Sequence, residues 1–201
     1  MYNSTIRTGV DVPQPAHPDW LNVNRMHVTL RRAYLATTEQ QRAAGMDWYP
    51  SAFRFAQQAA GASGLPVENV VAALAHLSPR VRWGRNKTML LELLVTGETS
   101  GLRGNIERAK LALESGEPLK TLTGRKVASF ARNILGEHDV VTVDRWAARL
   151  ADPSLDVTRS GISPKQYDQV ERAYVQAARF HEITPADLQA VLWVAARGKA
   201  E

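Results

Sequence analysis

Apolar residues recur along most of the chain at the three- and four-residue intervals of an amphipathic helix. One stripe aligns Val23, Met26, Leu30 and Tyr34, and similar stripes follow through most of the sequence. Only the run DVVTV, residues 139–143, looks extended, and it is too short to form a sheet of its own. The pattern therefore predicts an all-α protein with about eight helices.

Helix starts are marked most clearly in the last third of the chain. Ser163 is followed by proline and then by Gln166, which resembles a capping box with proline at the first helical position. Thr184 is likewise followed by proline and an acidic residue. The segment GMDWYP, residues 45–50, is predicted to be a loop between two helices.

With 201 residues, of which 44% are apolar, the chain is long enough for one domain or for two closely packed lobes. It contains no window of 18 apolar residues, and its first 20 residues lack the apolar core of a signal peptide. We therefore expect a soluble monomer that makes no membrane contact. Its expected location is the cytoplasm of a bacterium or of a phage-infected cell.

The composition removes several kinds of chemistry. Cysteine is absent, which excludes disulfides, thiolate zinc sites, thiol nucleophiles and cysteine-held iron–sulfur clusters. The five histidines have neither HxxxH nor HExxH spacing, so we expect no metal site and no cofactor.

The net charge of +5 and the pI of about 9.7 favour an anionic partner, with nucleic acid as the first candidate. Arg80, Arg82, Arg85 and Lys87 crowd one short segment. Many soluble proteins are mildly basic, so charge alone leaves a solvated surface as an equal alternative.

Residues 121–146 carry the most informative pattern. After Gly124, which permits a tight turn, a helix begins with Arg125 and Lys126 in its first turn. The helix dipole disfavours cations there by up to ~1 kcal/mol each, and a phosphate bound at the helix N-terminus would account for them. Asp144 follows an apolar run and is predicted to cap the next helix.

The stretch GRKVASFARNILGEHDVVTVDRW resembles the helix-hairpin-helix plus Gly/Pro…Asp (HhH-GPD) motif of the DNA glycosylase superfamily, in particular its endonuclease III-like branch. In that branch an aspartate follows the lysine of the hairpin by eighteen residues, as Asp144 follows Lys126. A second segment, VVAALAHLSPRVRWGRNK, resembles the family's helix ending in Leu-Leu-Ser, with its short loop and Asn-Lys. The similarity is strongest over residues 68–151.

The resemblance implies an all-α, two-lobed glycosylase fold with the active site in the cleft between the lobes. Residues 28–136 would form the helical lobe that contains the hairpin, and residues 137–201 the C-terminal helical lobe. The N-terminal arm, residues 1–27, would pack with the C-terminal lobe. Lys126 and Asp144 would face each other across the cleft.

The resemblance also implies a reaction. In glycosylases that carry both residues, the lysine amine attacks C1′ of a flipped-out nucleotide and displaces the base. The resulting Schiff base permits strand cleavage by β-elimination, while the carboxylate stabilises the cationic sugar. An amine must be neutral to attack, and burial or a neighbouring cation such as Arg125 lowers the pKa of a lysine.

Further site residues follow from the same resemblance. Arg80 occupies the position that fills the hole left in the duplex, and Trp83 lies nearby in sequence. Trp48 and Tyr49 are candidates for the pocket or the core, and Trp146 for packing under the carboxylate or in the core. Gln189 and Trp193 are assigned to structure. The candidates are Lys126 and Asp144 for catalysis, Gly124, Arg125, Arg80, Arg82, Lys87 and Arg145 for DNA binding, and Ser78, Trp83, Trp48 and Tyr49 for the pocket.

The chain also departs from the family pattern. The hairpin normally reads Leu-Pro-Gly-x-Gly, but Thr121 and Leu122 replace its proline and first glycine. A leucine held at positive φ is strained, so we expect a different turn and weaker phosphate binding. The loop after Ser78 is one residue shorter than usual. These differences leave the substrate base open.

Three functions remain as hypotheses. The first is a DNA glycosylase with AP-lyase activity that removes a modified base. The second is a phage-type enzyme of the same fold that elaborates modified thymine and leaves the glycosidic bond intact. The third is a helix-hairpin-helix module that only binds DNA, for which Lys126→Ala and Asp144→Ala would weaken binding without abolishing any reaction.

Overall fold

The computed structural model describes residues 19–155, 157 and 161–198. This part of the chain contains ten α-helices, one short 3-10 helix at Pro118–Thr121 and no β-strand, which confirms the all-α prediction. The α-helices are α1 (Asp19–Leu35), α2 (Glu39–Met46), α3 (Trp48–Ser63), α4 (Val67–Leu77), α5 (Trp83–Thr96), α6 (Arg103–Glu114), α7 (Arg125–Ile134), α8 (Arg145–Ala151), α9 (Pro164–Phe180) and α10 (Pro185–Arg197). Within the described ranges, no helix is long and apolar enough to cross a membrane.

The predicted loop at 45–50 is wrong. Met46 ends α2, Asp47 alone separates the helices, and Trp48 already begins α3. The proline of this segment lies in the first turn of α3, where a missing N–H costs no helical hydrogen bond. The sequence prediction also missed α2, whose start is marked by a capping box between Thr38 and Gln41.

The two helix starts predicted in the last third are confirmed. The Ser163 side chain accepts a hydrogen bond from the backbone N–H of Gln166, and the glutamine side chain accepts one in return. Thr184 accepts from the backbone N–H of Asp187. Both prolines occupy the first turn of their helices.

The core consists of two hydrophobic clusters. The first surrounds α4, whose residues 69–77 are all buried, and includes α3, α5, α6 and α7. The second is built from α1, the segment before α8, α8 itself and α9. Helix α10 belongs to both clusters, since one of its faces packs in each.

The predicted boundary between residues 27 and 28 lies inside α1. Val23 and Met26 before it belong to the same cluster as Leu30 and Tyr34 after it. Helix α1 therefore packs as one unit with α8 and α9. Residues 1–18 of the predicted arm lie outside the described residues.

Helices α2 and α10 approach each other closely at Gly45. A Cβ atom on Gly45 would lie 2.3 Å from the Cα and 2.6 Å from the Cγ2 of Val191 on α10. The contact involves backbone as well as side-chain atoms, so a rotamer change cannot relieve it. A residue without a side chain is therefore required at this crossing.

We expect Gly45→Ala to lower the free energy of unfolding by about 1–3 kcal/mol, because it overpacks the α2–α10 crossing. Gly61→Ala is the matched control, since a Cβ there meets nothing within 4 Å in α3. The control should raise stability by up to ~1 kcal/mol through helix propensity. Urea denaturation of both variants measures the difference, and equal effects would contradict the close crossing.

Candidate active-site pocket

A pocket of about 110 Å³ is lined mainly by residues of the first cluster and by Thr142 and Asp144 of the segment before α8. Helices α3, α5, α7 and α10, the loop after α4 and the segment before α8 all contribute to its walls. Its lining residues are Trp48, Tyr49, Ser78, Val81, Trp83, Asn86, Lys126, Phe130, Thr142, Asp144, Gln189, Ala190 and Trp193. The two predicted catalytic residues and all four predicted pocket residues therefore lie around one cavity.

Lys126 enters the pocket from the first turn of α7. The helix begins after Gly124, whose φ of 84° is accessible mainly to glycine. The lysine is half-buried, and burial is the main cause that lowers its pKa. The charge of Asp144 opposes this shift and that of Arg145 adds to it. The cation expected to lower this pKa was Arg125, but Arg145 has that role.

Asp144 is the N-cap of α8, as predicted. Its Oδ1 accepts the backbone N–H of Ala147 at 2.8 Å. Its other oxygen, Oδ2, has no hydrogen-bond partner in the described part of the chain. The cap fixes the carboxylate while it leaves one oxygen available at the pocket.

Asn133 holds the segment that leads to this carboxylate. The side chain lies at the end of α7 and is fully buried. Its Nδ2 donates to the carbonyls of Glu137 at 2.8 Å and Val140 at 2.9 Å, and its Oδ1 accepts from the Thr142 hydroxyl at 2.8 Å. The helix that carries Lys126 therefore also positions the segment before Asp144.

Tyr167 on α9 holds the same segment from the other side. Its hydroxyl donates to the carbonyl of Val141 at 2.8 Å and accepts from the N–H of Val143 at 3.2 Å. These contacts replace the sheet partners that residues 141–143 lack within the described fold. An extended run too short for a sheet is thereby held by side chains.

Arg125 is engaged within the protein. Its guanidinium forms ion pairs with Asp168 and Glu171 on α9 and lies 4.4 Å from the centroid of the Tyr167 ring. Both carboxylates raise its pKa. These ion pairs account for Arg125 at the helix N-terminus without a bound phosphate.

The loop between α4 and α5 carries two free cations beside the pocket. Arg80 has a φ of 65°, a left-handed conformation that costs a non-glycine residue about 1–3 kcal/mol. Arg80 and Arg82 are exposed, and neither makes an ion pair or side-chain hydrogen bond with any described residue. Ser78 and Val81 of the same loop line the pocket.

Arg145 is also exposed, at the start of α8 beside Asp144. Lys87 is placed differently, with its Nζ 5.7 Å from the Trp83 ring centroid and 5.8 Å from that of Phe55. It therefore covers the outer side of an aromatic wall. Of the predicted DNA-binding cations, Arg80, Arg82 and Arg145 are the ones without a partner among the described residues.

Aromatic rings form most of the pocket wall around Trp48. The centroid of its ring lies 4.9 Å from that of Tyr49, 5.2 Å from Trp83, 5.7 Å from Trp193 and 5.8 Å from Phe130. Trp48 and Tyr49 are both buried and both line the cavity, so each belongs to the core and to the pocket.

Sequence reasoning missed several pocket residues. Gln189 and Trp193, assigned to structure, lie one turn apart on the face of α10 that reaches the cavity. The Tyr49 hydroxyl donates to Gln189 Oε1 at 2.7 Å. The sequence did contain one indication: Gln189 and Trp193 are four residues apart within a segment that is otherwise mostly alanine, valine and leucine. Asn86 was considered only as part of the Asn-Lys motif and was not predicted to line the pocket.

Trp146 is not part of the core, because 42% of its surface is exposed. Arg197 from the end of α10 lies 6.0 Å from its ring centroid and 4.8 Å from that of Trp193. Trp146 therefore belongs to an outer aromatic surface next to the pocket.

The hairpin segment departs from the family pattern, as expected. Leu122 has a φ of −66°, so it avoids the strain that a positive φ would cause. The turn here consists of a short 3-10 helix at Pro118–Thr121 followed by Leu122 in an extended conformation. Thr121 contacts His76 Nε2 at 3.1 Å, which ties this turn to α4.

No group of three or more His, Asp or Glu side chains that could hold a metal ion occurs among the described residues. The model of one family, described as a family of unknown function (DUF7178), matches residues 14–200. No curated protein matches the chain, and no solved structure does.

The electrostatic coupling at the pocket can be tested directly. Asp144→Asn removes the charge that raises the Lys126 pKa, so this pKa should fall and the amine should be neutral at lower pH. Arg145→Ala removes a charge that lowers the pKa, so it should rise. NMR titration of ¹³C-labelled lysine side chains measures both, and no shift in either variant would show that these groups do not share a site.

Proposed function

We propose that this chain, which belongs to the DUF7178 family, is a DNA glycosylase with associated AP-lyase activity in which Lys126 is the nucleophile. One observation carries the proposal: a half-buried lysine of lowered pKa lines the same aromatic pocket as a capped aspartate, whose second carboxylate oxygen has no hydrogen-bond partner among the described residues. This is the pairing that the sequence resemblance implies. It also supplies a nucleophile and a fixed negative charge, the two groups that displacement of a base by an amine needs.

The reaction needs a neutral amine. The Lys126 pKa is lowered by burial, so a larger neutral fraction is present near neutral pH than for an exposed lysine. Its nitrogen attacks C1′ of a nucleotide whose base has entered the pocket. The C1′–N bond breaks and the departing base takes the bonding electron pair. The proton lost by the lysine nitrogen passes to Asp144 Oδ2.

Asp144 also acts before this proton transfer, as a fixed negative charge. As the base leaves, positive charge develops on the sugar, and a fixed carboxylate stabilises it as in glycosidases. The hydrogen bond from the N–H of Ala147 holds this carboxylate in place without neutralising it. The C1′–O4′ bond of the resulting N,O-acetal then breaks as the nitrogen lone pair forms the C1′=N bond of a protonated Schiff base, and O4′ takes the proton from Asp144. β-Elimination follows: a C2′ proton is lost to solvent, a C2′=C3′ bond forms, and the C3′–O bond breaks with the phosphate as the leaving group.

The surroundings of the pocket fit a flipped nucleotide of DNA. Trp48, Trp83 and Phe130 provide apolar walls for a base that has left the stack. Arg80, strained and without a partner among the described residues, lies in the loop whose Ser78 and Val81 line the cavity, and it would fill the position that the flipped base vacates in the duplex. Arg82 and Arg145, also without a partner among the described residues, supply further positive charge for the phosphates.

The arrangement of the two clusters supports the same assignment. The first cluster lines the pocket together with Thr142 and Asp144, whose neighbours Val141 and Val143 belong to the second cluster. A site with contributions from both would match the cleft between the lobes of a helix-hairpin-helix glycosylase. In this proposal the first cluster is the lobe with the hairpin, and α1, α8, α9 and α10 form the other. We propose that the enzyme acts as a cytoplasmic monomer and needs no cofactor.

The experiment uses duplex oligonucleotides that carry one uracil, 5-hydroxymethyluracil, oxidised base or preformed abasic site. Free base and cleaved strand are measured separately. We expect Lys126→Ala to abolish both products, a loss of roughly 10³-fold or more. Asp144→Asn keeps a competent N-cap and should lower base release by roughly 10²–10³-fold.

Lys110→Ala is the matched control, because Lys110 pairs with Glu98 on the surface and does not line the pocket. It makes the same change of net charge and should leave both products unchanged. A modified base that stays attached to its sugar would favour the base-modifying enzyme instead. DNA binding with no product from any oligonucleotide would favour the purely DNA-binding module.

A further inference from the structure

Asn86 carries a buried acceptor with no partner. Its side chain lines the pocket from α5 and is 1% exposed. Nδ2 donates to the carbonyl of Leu74 at 3.3 Å, which sets the orientation of the amide, and Oδ1 has no hydrogen-bond partner. Of the four described buried side-chain atoms without a partner, this is the one on a pocket-lining residue.

An unpaired buried carbonyl oxygen is unfavourable in the folded protein. Such an atom in a native pocket calls for a partner that the protein itself does not provide. A bound molecule with an N–H group directed at Asn86 Oδ1 would supply the missing hydrogen bond. This single atom therefore already specifies a donor on the ligand.

Gln189 offers the opposite polarity in the same pocket. Its Oε1 accepts from the Tyr49 hydroxyl at 2.7 Å, so its Nε2 is the free end of the amide. Nε2 makes no hydrogen bond to the described residues and remains a donor. Burial raises the pKa of the Tyr49 hydroxyl, which keeps that hydroxyl protonated and holds the glutamine in this orientation.

The cavity limits the size of the ligand. Its volume is about 110 Å³, and Trp48, Trp83 and Phe130 line its sides. An apolar protein cavity of about 150 Å³ holds one benzene molecule. This smaller pocket therefore favours one six-membered ring over a fused purine.

We propose that Asn86 and Gln189 select a pyrimidine ring whose edge presents an N–H donor beside an acceptor. Asn86 Oδ1 accepts from the N–H, and Gln189 Nε2 donates to the acceptor. Uracil- and thymine-type rings have this pattern at N3–H and a carbonyl, and cytosine-type rings have it at N4–H and N3. The assignment names the substrate class of the glycosylase proposed above and rests on that function.

The test changes the ligand first and leaves the protein intact. Oligonucleotides carry uracil or 3-methyluracil in one arm, and cytosine or N4,N4-dimethylcytosine in the other. Within the arm that reacts, methylation of the N–H should slow base release by the wild-type protein about tenfold or more, because a buried acceptor loses its donor. Equal rates for the methylated and parent bases would overturn the proposal.

Protein variants then assign the effect to the two amides. Asn86→Leu should slow release of the parent base and remove the difference between parent and methylated base. Gln189→Met should slow release as well. Lys110→Ala, which lies outside the pocket, is the control and should keep the wild-type rates and the wild-type difference between parent and methylated base. A variant that keeps the full discrimination would overturn the role of that residue.

Cleavage at the abasic site also separates the two proposals. If wild type cleaves there but releases purines faster than any pyrimidine, the glycosylase stands and the pyrimidine assignment fails. If wild type neither cleaves nor releases a base, the proposed function fails. Fluorescence anisotropy of the same oligonucleotides then decides the selectivity, and equal affinities for parent and methylated bases would overturn it.

Discussion

The hydrogen bonds of the Asn133 side chain are the constraint on which the site depends. Asn133 lies seven residues after Lys126 on α7, and its amide binds the turn and the extended run that lead to Asp144. One rigid helix thus carries the amine and also positions the carboxylate. Because the amide is fully buried, its three bonds have no competition from water and their loss would leave several polar groups unpaired.

Helix α10 supplies the second constraint. It packs in both hydrophobic clusters and crosses α2 at a glycine, so its place is fixed from two sides. From that position it presents Gln189 and Trp193 to the cavity. The aromatic walls keep water away from Lys126, and this desolvation is the main cause of its lowered pKa. The packing that forms the core therefore also lowers the pKa of Lys126.

The sequence predicted those features that depend on local chemistry. The helical period, the proline-marked caps and the N-cap role of Asp144 follow from short stretches, and so does the spacing of Lys126 and Asp144. The partners of Arg125 lie more than forty residues away on α9, so no local pattern indicated its ion pairs. Asn86 and Gln189 were missed for the same reason, because only the packing of α5 and α10 brings them to one cavity. Helix α2 was missed because it contains too few apolar residues to show a helical period.

The central claim is that the Lys126 amine forms a covalent bond to the sugar, and trapping tests it most directly. The protein would react with abasic-site DNA in the presence of borohydride, and the modified peptide would be located by mass spectrometry. We expect a single reduced adduct on Lys126 that is absent from Lys126→Ala. An adduct on another lysine, or none at all, would contradict the account.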